Sequence, residues 1–204
     1  MRVMSDARRQ AILKVATELF REVGYERASM ATISARLGGS KATLYKYFHS
    51  KEELFAAAMH AAVEGRGEEL VQLLDSADPD PRKVLRRFGA AYLELVSAED
   101  VMAITRTAVA EGTNSGLGPT LYTNGPGRGI REISLYLERL QDQGFVQNGD
   151  ARLMAAQLKS LLEAGVIEPL MYGAEPEFSK TAAVEAAVTA FFRVYAGSEL
   201  PHEA

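Results

Sequence analysis

Apolar residues recur along this 204-residue chain at intervals of three or four positions, which is the spacing of one face of an α-helix. The breaks between these periodic stretches carry glycine, proline, serine or aspartate, the residues that start and end helices. The alternation of apolar and polar positions that marks a half-buried strand is not needed to explain any part of the chain. The pattern therefore predicts an all-α protein with about nine helices.

The first three predicted helices include two short ones. Ser5 is the expected N-cap of the first helix, and Gly24 is its expected left-handed stop. Ser29 caps the second helix, and a pair of glycines forces a tight turn before Ser40 caps the third. Two short helices joined by a glycine turn, at residues 29–48, form a candidate helix-turn-helix.

The remaining helices have equally local start signals. Ser50 and Glu53 form a predicted capping box, and the fourth helix then runs to about Leu74 with no hinge sequence. A fifth helix follows Asp80, with Pro81 in its first turn, and a sixth follows Ser97. The seventh, at 130–143, comes after the interruption GPGRG at 125–129. The eighth runs from Asp150 to near Pro169, and the ninth runs from Ser179 to about Tyr195.

Composition narrows the chemistry. The chain has no cysteine, which excludes disulfides, thiolate metal sites and cysteine nucleophiles. Its first ten residues are polar and basic, and no later stretch approaches a membrane span. We therefore expect a cytoplasmic protein, associated with the nucleoid when it is bound to DNA.

The net charge of −4 hides a strong asymmetry. Residues 1–51 hold ten Lys and Arg against four Asp and Glu, a net charge of +6, whereas the rest of the chain carries −10. A small basic head on an acidic body favours a polyanionic partner that docks on one face. The alternative is a chance excess of solvated basic residues.

The third predicted helix has the character of a DNA-recognition helix. Its sequence, residues 40–48, is SKATLYKYF. Leu44 and Phe48 lie four apart and anchor one side to the core, and the small Ala42 permits a close approach to base edges. The polar side carries hydroxyls and a charge suited to bases and phosphates, on Ser40, Lys41, Thr43, Tyr45 and Tyr47. Core packing is the alternative explanation for the two tyrosines.

These residues form part of a longer motif. The sequence of residues 28–55, ASMATISARLGGSKATLYKYFHSKEELF, resembles the signature of TetR-family repressors. The sequence of residues 108–146 is similar to a C-terminal domain of multidrug-type members of the AcrR and AefR kind. This chain has Gly39 where the family usually has valine and Ser34 where it usually has alanine. These two differences affect the expected rigidity of the turn more than DNA binding.

The resemblance implies roles for individual residues. Ser29 and Thr32 would meet phosphates at the start of the second helix. Bases and nearby phosphates would be contacted by Lys41, Ala42, Thr43 and Tyr45. Tyr47 and Lys51 would clamp the DNA backbone. The implied domains are a DNA-binding domain at 1–50 and a ligand-binding and dimerisation domain at 51–204.

The implied function is that of a repressor which leaves double-stranded operator DNA when a small-molecule effector binds. The candidate effector contacts are Phe88, Tyr92, Met102, Arg106, Tyr122 and Tyr136, each of which is also explicable as core packing. The eighth and ninth helices carry more apolar surface than one packing position needs, together with several alanines. We expect these two helices to form a four-helix homodimer interface, and the alternative is burial within the monomer.

Two other functions stay open. A ligand-independent DNA-binding protein would share the basic head but show no response to small molecules. An all-helical enzyme is disfavoured, since the three histidines, His49, His60 and His202, have no obvious nucleophile to serve. His60 and Glu64 are four apart on one helix, but two ligands make a weak metal site. We expect no catalytic residues, no metal and no cofactor.

Overall fold

A computed structural model describes residues 6–112, 116 and 118–201. These residues form eleven helices: α1 (Asp6–Arg27), α2 (Met30–Arg36), α3 (Lys41–Tyr47), α4 (Lys51–Gln72), α5 (Pro81–Val96), α6 (Glu99–Gly112), α7 (Gly118–Asn124), α8 (Pro126–Asp142), α9 (Ala151–Glu163), α10 (Ile167–Met171) and α11 (Lys180–Tyr195). An isolated antiparallel bridge joins Val146 and Ala196. None of the described helices has the length and apolar composition needed to cross a membrane. The all-α prediction is confirmed.

The chain forms two compact units. The first comprises Met1–Gly65 and Ala103–Gly125, and the second comprises Arg66–Met102 and Pro126–Ala204. The sequence-based boundary after residue 50 lies inside the first unit, because the first half of α4 buries its apolar side chains in the core of that unit. These side chains are Leu54, Phe55, Ala58 and Met59.

An aromatic cluster lies at the centre of the first unit. Phe20 and Tyr25 of α1 both contact Phe55 of α4, with ring centres 5.0 and 4.9 Å away. Gly24 has the predicted positive φ, +79°, but it kinks α1 and does not end it. The helix resumes after the kink as far as Arg27, and Tyr25 is buried in the core.

The second unit is built from α5, α8, α9 and α11, which share one apolar core. Gly89 of α5 is buried at a close approach between helices. A methyl group at this position would lie 2.7 Å from Cδ2 of Leu162 and 3.2 Å from Cγ1 of Val184. Glycine therefore lets α5 pack directly against α9 and α11.

The structure corrects two predicted helix boundaries and adds two short helices, α7 and α10. The predicted interruption by GPGRG at 125–129 is limited to Gly125, because Pro126 begins α8 and the first turn of a helix tolerates proline. The predicted eighth helix ends at Glu163 rather than near Pro169. Pro169 instead lies in the first turn of the separate helix α10, where its missing N–H costs nothing. Helix α7 is a further addition to the nine predicted helices.

Most predicted caps are confirmed. Asp80, Asp150 and Ser179 accept hydrogen bonds from backbone N–H groups at the second or third residues of α5, α9 and α11. Ser50 accepts from the Glu53 N–H, but the Glu53 carboxylate accepts from His49, one residue before the expected partner. Ser5 lies outside the described residues.

A matched pair of glycine substitutions tests the packing of the second unit. We expect Gly89→Ala to lower the free energy of unfolding by roughly 1–3 kcal/mol, because the methyl group overpacks the core. Gly67→Ala, in the interior of α4 with nothing within 4 Å, should raise it by about 0.5–1 kcal/mol. Urea unfolding measures both. Equal effects of the two substitutions would contradict the packing described.

Candidate nucleic-acid interface

Helix α2 begins at a serine cap. The Ser29 side chain accepts a hydrogen bond of 3.1 Å from the Thr32 N–H, and the two hydroxyl oxygens are 2.8 Å apart. Both side chains are exposed. Met30 and Ile33 are buried on the opposite side of this seven-residue helix, which fixes it to the core of the first unit. The two residues assigned to phosphates therefore lie on an accessible edge.

The turn between α2 and α3 is closed by hydrogen bonds. Gly38 has a φ of +62°, a conformation that favours glycine. The buried Ser34 donates its hydroxyl to the Gly39 carbonyl oxygen at 2.8 Å, and the Gly39 N–H donates to the Ser34 carbonyl oxygen at 3.2 Å. The two residues that depart from the family pattern thus bind each other, and the added hydroxyl of Ser34 tightens the turn.

Helix α3 repeats the capping arrangement of α2. Ser40 accepts from the Thr43 N–H at 3.1 Å, and the two hydroxyl oxygens are 2.9 Å apart. Leu44 and Phe48 are both 2% exposed and anchor the helix, as predicted. The opposite side presents polar and small groups to solvent, with Lys41 and Ala42 exposed, Thr43 half-buried and Tyr45 41% exposed.

The aromatic and basic residues of α3 differ in their contacts. Tyr47 is half-buried and packs against the core of the first unit. The Lys41 ammonium nitrogen lies 5.8 Å from the centre of the Tyr45 ring, so these two side chains are neighbours. Lys46 is exposed in the last turn of α3 and is a further cation that the sequence pattern did not single out. The sequence does contain a signal for Lys46, because it lies among the polar residues of SKATLYKYF.

Lys51 has a structural partner within the first unit. Its ammonium group donates to the carbonyl oxygens of Tyr25 at 3.0 Å and of Ala28 at 3.3 Å, and lies 4.0 Å from the centre of the Tyr25 ring. The Tyr25 hydroxyl in turn donates to Glu52 at 3.0 Å. Lys51 therefore ties the end of α1 to the start of α4.

Several carboxylates of the first unit are held by its own groups. Arg36 donates to Glu22 through both terminal guanidinium nitrogens, and this hydrogen bonding lowers the pKa of Glu22. The His49 backbone N–H lowers the pKa of Glu53. The pKa of Glu52 is lowered mainly by its own backbone N–H and further by hydroxyl groups. These acids stay ionised and are engaged within the protein.

The candidate effector contacts fall in both units. Phe88, Tyr92 and Tyr136 are buried in the core of the second unit. Phe88 stacks on Tyr92 with ring centres 5.9 Å apart, and the Tyr92 hydroxyl donates to Glu163. The buried Tyr136 hydroxyl has no hydrogen-bond partner among the described residues, and burial raises its pKa. The Tyr136 ring is therefore part of the core, whereas its hydroxyl is unsatisfied among the described residues.

The other three candidates do not join that cluster. Met102 is buried at the end of the 66–102 segment of the second unit. Arg106 and Tyr122 belong to the first unit, where Arg106 is exposed and Tyr122 is 53% exposed. The six residues therefore do not form one apolar cluster.

The two helices expected to form the dimer interface are α9 and α11. They line an open, largely apolar groove of about 540 Å³. Its lining includes Ala156, Leu161, Ala190, Phe191 and Val194. Leu161 is 37% exposed, and Val194 is also exposed.

Metal-ligand clusters are not a feature of the described residues. His60 and Glu64 do approach each other, with 3.4 Å between Nε2 and Oε1 on one helix. Within the part of the chain that the structure describes, no group of three or more potential ligands has the geometry for a metal ion.

Family comparisons agree with this geometry at both ends of the chain. The model for bacterial regulatory proteins of the tetR family matches residues 12–58, and the model for the C-terminal domain of AefR-like transcriptional repressors matches residues 83–197. The chain belongs to the TetR family. Members of this family are transcriptional regulators that act as dimers on operator DNA and respond to small molecules.

Individual relatives extend the comparison. The transcriptional activator FasR of Mycolicibacterium smegmatis is 35% identical over 95 residues, which cover 47% of this chain and 43% of FasR. The match thus spans less than half of that relative. The flavonoid-responsive regulator FrrA has 28% identity and a TM-score of 0.78, covering 94% of this chain and 98% of FrrA.

A further structure agrees in fold. A TetR-family regulator from Mesorhizobium loti has 24% identity and a TM-score of 0.83, covering 94% of this chain and 99% of the other. The TetR-type arrangement of a helix-turn-helix followed by a helical C-terminal region is therefore confirmed for this chain.

A lysine pair tests the structural role of Lys51. We expect Lys51→Ala to lower the free energy of unfolding by roughly 1 kcal/mol in the absence of DNA, because two carbonyl groups lose their donor. Lys46→Ala, which removes an exposed lysine from α3, should leave stability unchanged within about 0.5 kcal/mol. Thermal unfolding of both variants measures the difference. An unchanged stability for Lys51→Ala would contradict this structural role.

Proposed function

We propose that this chain is a dimeric, sequence-specific repressor that binds operator DNA through α2 and α3 and releases it when a small aromatic effector binds. The observation that carries the proposal is the surface of α3, where a capped and anchored helix presents Lys41, Ala42, Thr43 and Tyr45 away from its buried side. The match to the C-terminal domain of AefR-like repressors supports repression, whereas the relative FasR is an activator.

The chemistry of this surface suits the major groove. Ala42 permits a close approach, and the Thr43 and Tyr45 hydroxyls can donate to base edges or phosphates. Lys41 supplies a charge for the DNA backbone. Ser29 and Thr32 at the start of α2 provide phosphate contacts, and the half-buried Tyr47 provides one at the end of α3. The net charge of +6 over residues 1–51 brings this face to the polyanion.

Two threonines in equivalent positions separate base recognition from phosphate binding. Thr43→Ala should cost about 1–3 kcal/mol on a duplex selected by the wild-type protein and little on random duplex, because the hydroxyl contacts a base edge. Thr32→Ala removes the same group from the same position of α2 and should weaken both duplexes alike. Fluorescence anisotropy in one buffer measures all four affinities. Equal losses for Thr43→Ala on both duplexes would refute its role in base recognition.

The groove between α9 and α11 is the proposed dimer interface. It is apolar, open and lined by alanines that let helices of a second copy approach closely. Recognition of a two-fold operator by such a dimer requires two copies of α3 separated by about one turn of DNA, roughly 34–36 Å. The family's dimeric action supports this choice of partner.

A charge placed in the groove tests the interface. Leu161→Glu should raise the dimer dissociation constant about 100-fold, because a carboxylate would be buried without a partner. Leu135→Glu is the matched control, since Leu135 is 43% exposed on α8 and does not line the groove. Analytical ultracentrifugation distinguishes the two variants. A dimer that survives Leu161→Glu but dissociates with Leu135→Glu would place the interface elsewhere.

The proposed effector site lies in the aromatic core of the second unit. Phe88 and Tyr136 supply aromatic surface, and the unpartnered Tyr136 hydroxyl supplies a hydrogen bond that an effector atom would complete. These side chains are buried, so the effector must displace core contacts, which couples binding to conformation. FrrA, a flavonoid-responsive relative, supports an aromatic effector class.

Two tyrosines in the same core test this site. Tyr136→Phe should leave the unfolding temperature unchanged or raised, because it removes a buried hydroxyl without a partner, and should weaken the binding of flavonoids about tenfold. Tyr92→Phe is the control and should lower stability, because its hydroxyl binds Glu163. Thermal shift with a flavonoid panel measures both effects. A loss of stability with Tyr136→Phe would show that its hydroxyl already has a partner.

The alternative of a ligand-independent DNA-binding protein makes a different prediction for operator affinity measured with and without each flavonoid. Under that alternative, no flavonoid that binds the second unit changes the operator affinity. Under the proposed function, operator affinity falls about 5- to 150-fold, and operator weakens effector binding by the same factor. The enzyme alternative rests on His60 and Glu64, and a two-ligand pair on one helix does not favour it over regulation.

A further inference from the structure

The guanidinium of Arg8, on α1, lies against the turn between α2 and α3. A methyl group built on Gly39 would lie 2.8 Å from a terminal nitrogen of Arg8, so the guanidinium occupies the space that a side chain at Gly39 would fill. Arg8 also lines a pocket of about 10 Å³ together with Ser40 and Thr43. A pocket of that size holds about one water molecule, so the guanidinium packs closely on the turn.

The backbone does not require glycine at position 39. Gly38 has a positive φ, whereas Gly39 lies outside the left-handed region. The hydroxyl of Ser34 also holds the Gly39 carbonyl group in place. What glycine provides at this position is therefore the room for Arg8 beside a fixed turn.

The neighbouring arginine has a different environment. The guanidinium of Arg9 lies 5.5 Å from the centre of the Phe48 ring. The pKa of Glu53 is lowered mainly by the His49 backbone N–H and in small part by Arg9. Arg9 thus faces the end of α3 and the start of α4, whereas Arg8 faces the helix-turn-helix turn.

We propose that Arg8 is a phosphate-binding residue of the DNA-binding face and that the absence of a side chain at Gly39 positions it. A guanidinium beside Ser40 and Thr43 adds a planar, permanently charged donor group to the hydroxyls of that edge. Such a group binds a phosphate through two parallel hydrogen bonds. The inference rests on the proposed DNA-binding function and adds a residue from α1 to the interface.

The test is a double-mutant cycle on the full chain with a random-sequence duplex as the probe. The proteins are wild type, Arg8→Ala, Gly39→Ala and the double variant, with Arg9→Ala as the control. Anisotropy titrations over a range of KCl concentrations give the affinity and the salt slope, which is the slope of the logarithm of the binding constant against the logarithm of the KCl concentration. Gly39→Ala should retain the wild-type unfolding temperature, because the added methyl group meets the far end of a flexible side chain.

We expect Arg8→Ala to weaken duplex binding about tenfold and to reduce the salt slope by about 0.9 for each phosphate that the variant no longer neutralises. Gly39→Ala should reproduce part of this loss of affinity, and the double variant should bind no more weakly than Arg8→Ala, because the methyl group acts by displacing Arg8. Arg9→Ala should lower stability and keep the salt slope.

Two results would overturn the inference and leave the proposed function standing. One is that Arg8→Ala binds the duplex with the same affinity and the same salt slope as the wild-type protein. The other is an additive loss of affinity for Gly39→Ala in the Arg8→Ala background, which would place the effect of Gly39 in the turn backbone. Absence of duplex binding by the wild-type protein would overturn the proposed function itself and the inference with it.

Discussion

The interface depends on how a helix of seven residues is held in place. A helix as short as α3 is not stable by itself in water, because nucleation costs more than so few hydrogen bonds return. Its position therefore rests on Leu44 and Phe48, which are buried, and on the Ser40 cap. The preceding turn adds the Ser34 hydrogen bond to Gly39. Under the proposed function, every polar group that α3 would present to DNA depends on these contacts.

The basic residues of the first unit also differ in their surroundings. Some basic residues are engaged by groups of the protein itself: Lys51 donates to carbonyl groups at the end of α1, and Arg36 forms a surface ion pair with Glu22. Lys41 and Lys46 of α3 are exposed instead. The charge excess of residues 1–51 therefore overstates the number of cations available to DNA, and the arrangement of the individual side chains decides the interface.

Much of the fold was predictable from the sequence, because caps and glycine turns are local signals. Ser29, Ser40, Asp80, Asp150 and Ser179 all cap the helices they were expected to cap. The boundaries at Pro126 and Pro169 were missed because a proline breaks a helix interior but fits a first turn, and the sequence does not say which applies.

The candidate site was less predictable, since its contacts join distant residues. The bond from Lys51 to Tyr25 spans 26 positions, and the approach of Arg8 to Gly39 joins α1 to the turn. Neither has a signal in local spacing. The aromatic candidates Phe88 and Tyr136 were found by helical spacing, which identifies buried positions and does not separate core packing from ligand contact.

Amide hydrogen exchange of the full chain, with and without a duplex that it has selected from a random pool, tests the central claim most directly. If α2 and α3 form the DNA-binding face, added protection should concentrate in residues 29–48. Protection confined to residues 126–201, or an unchanged exchange pattern across 29–48 in the saturated complex, would contradict the account.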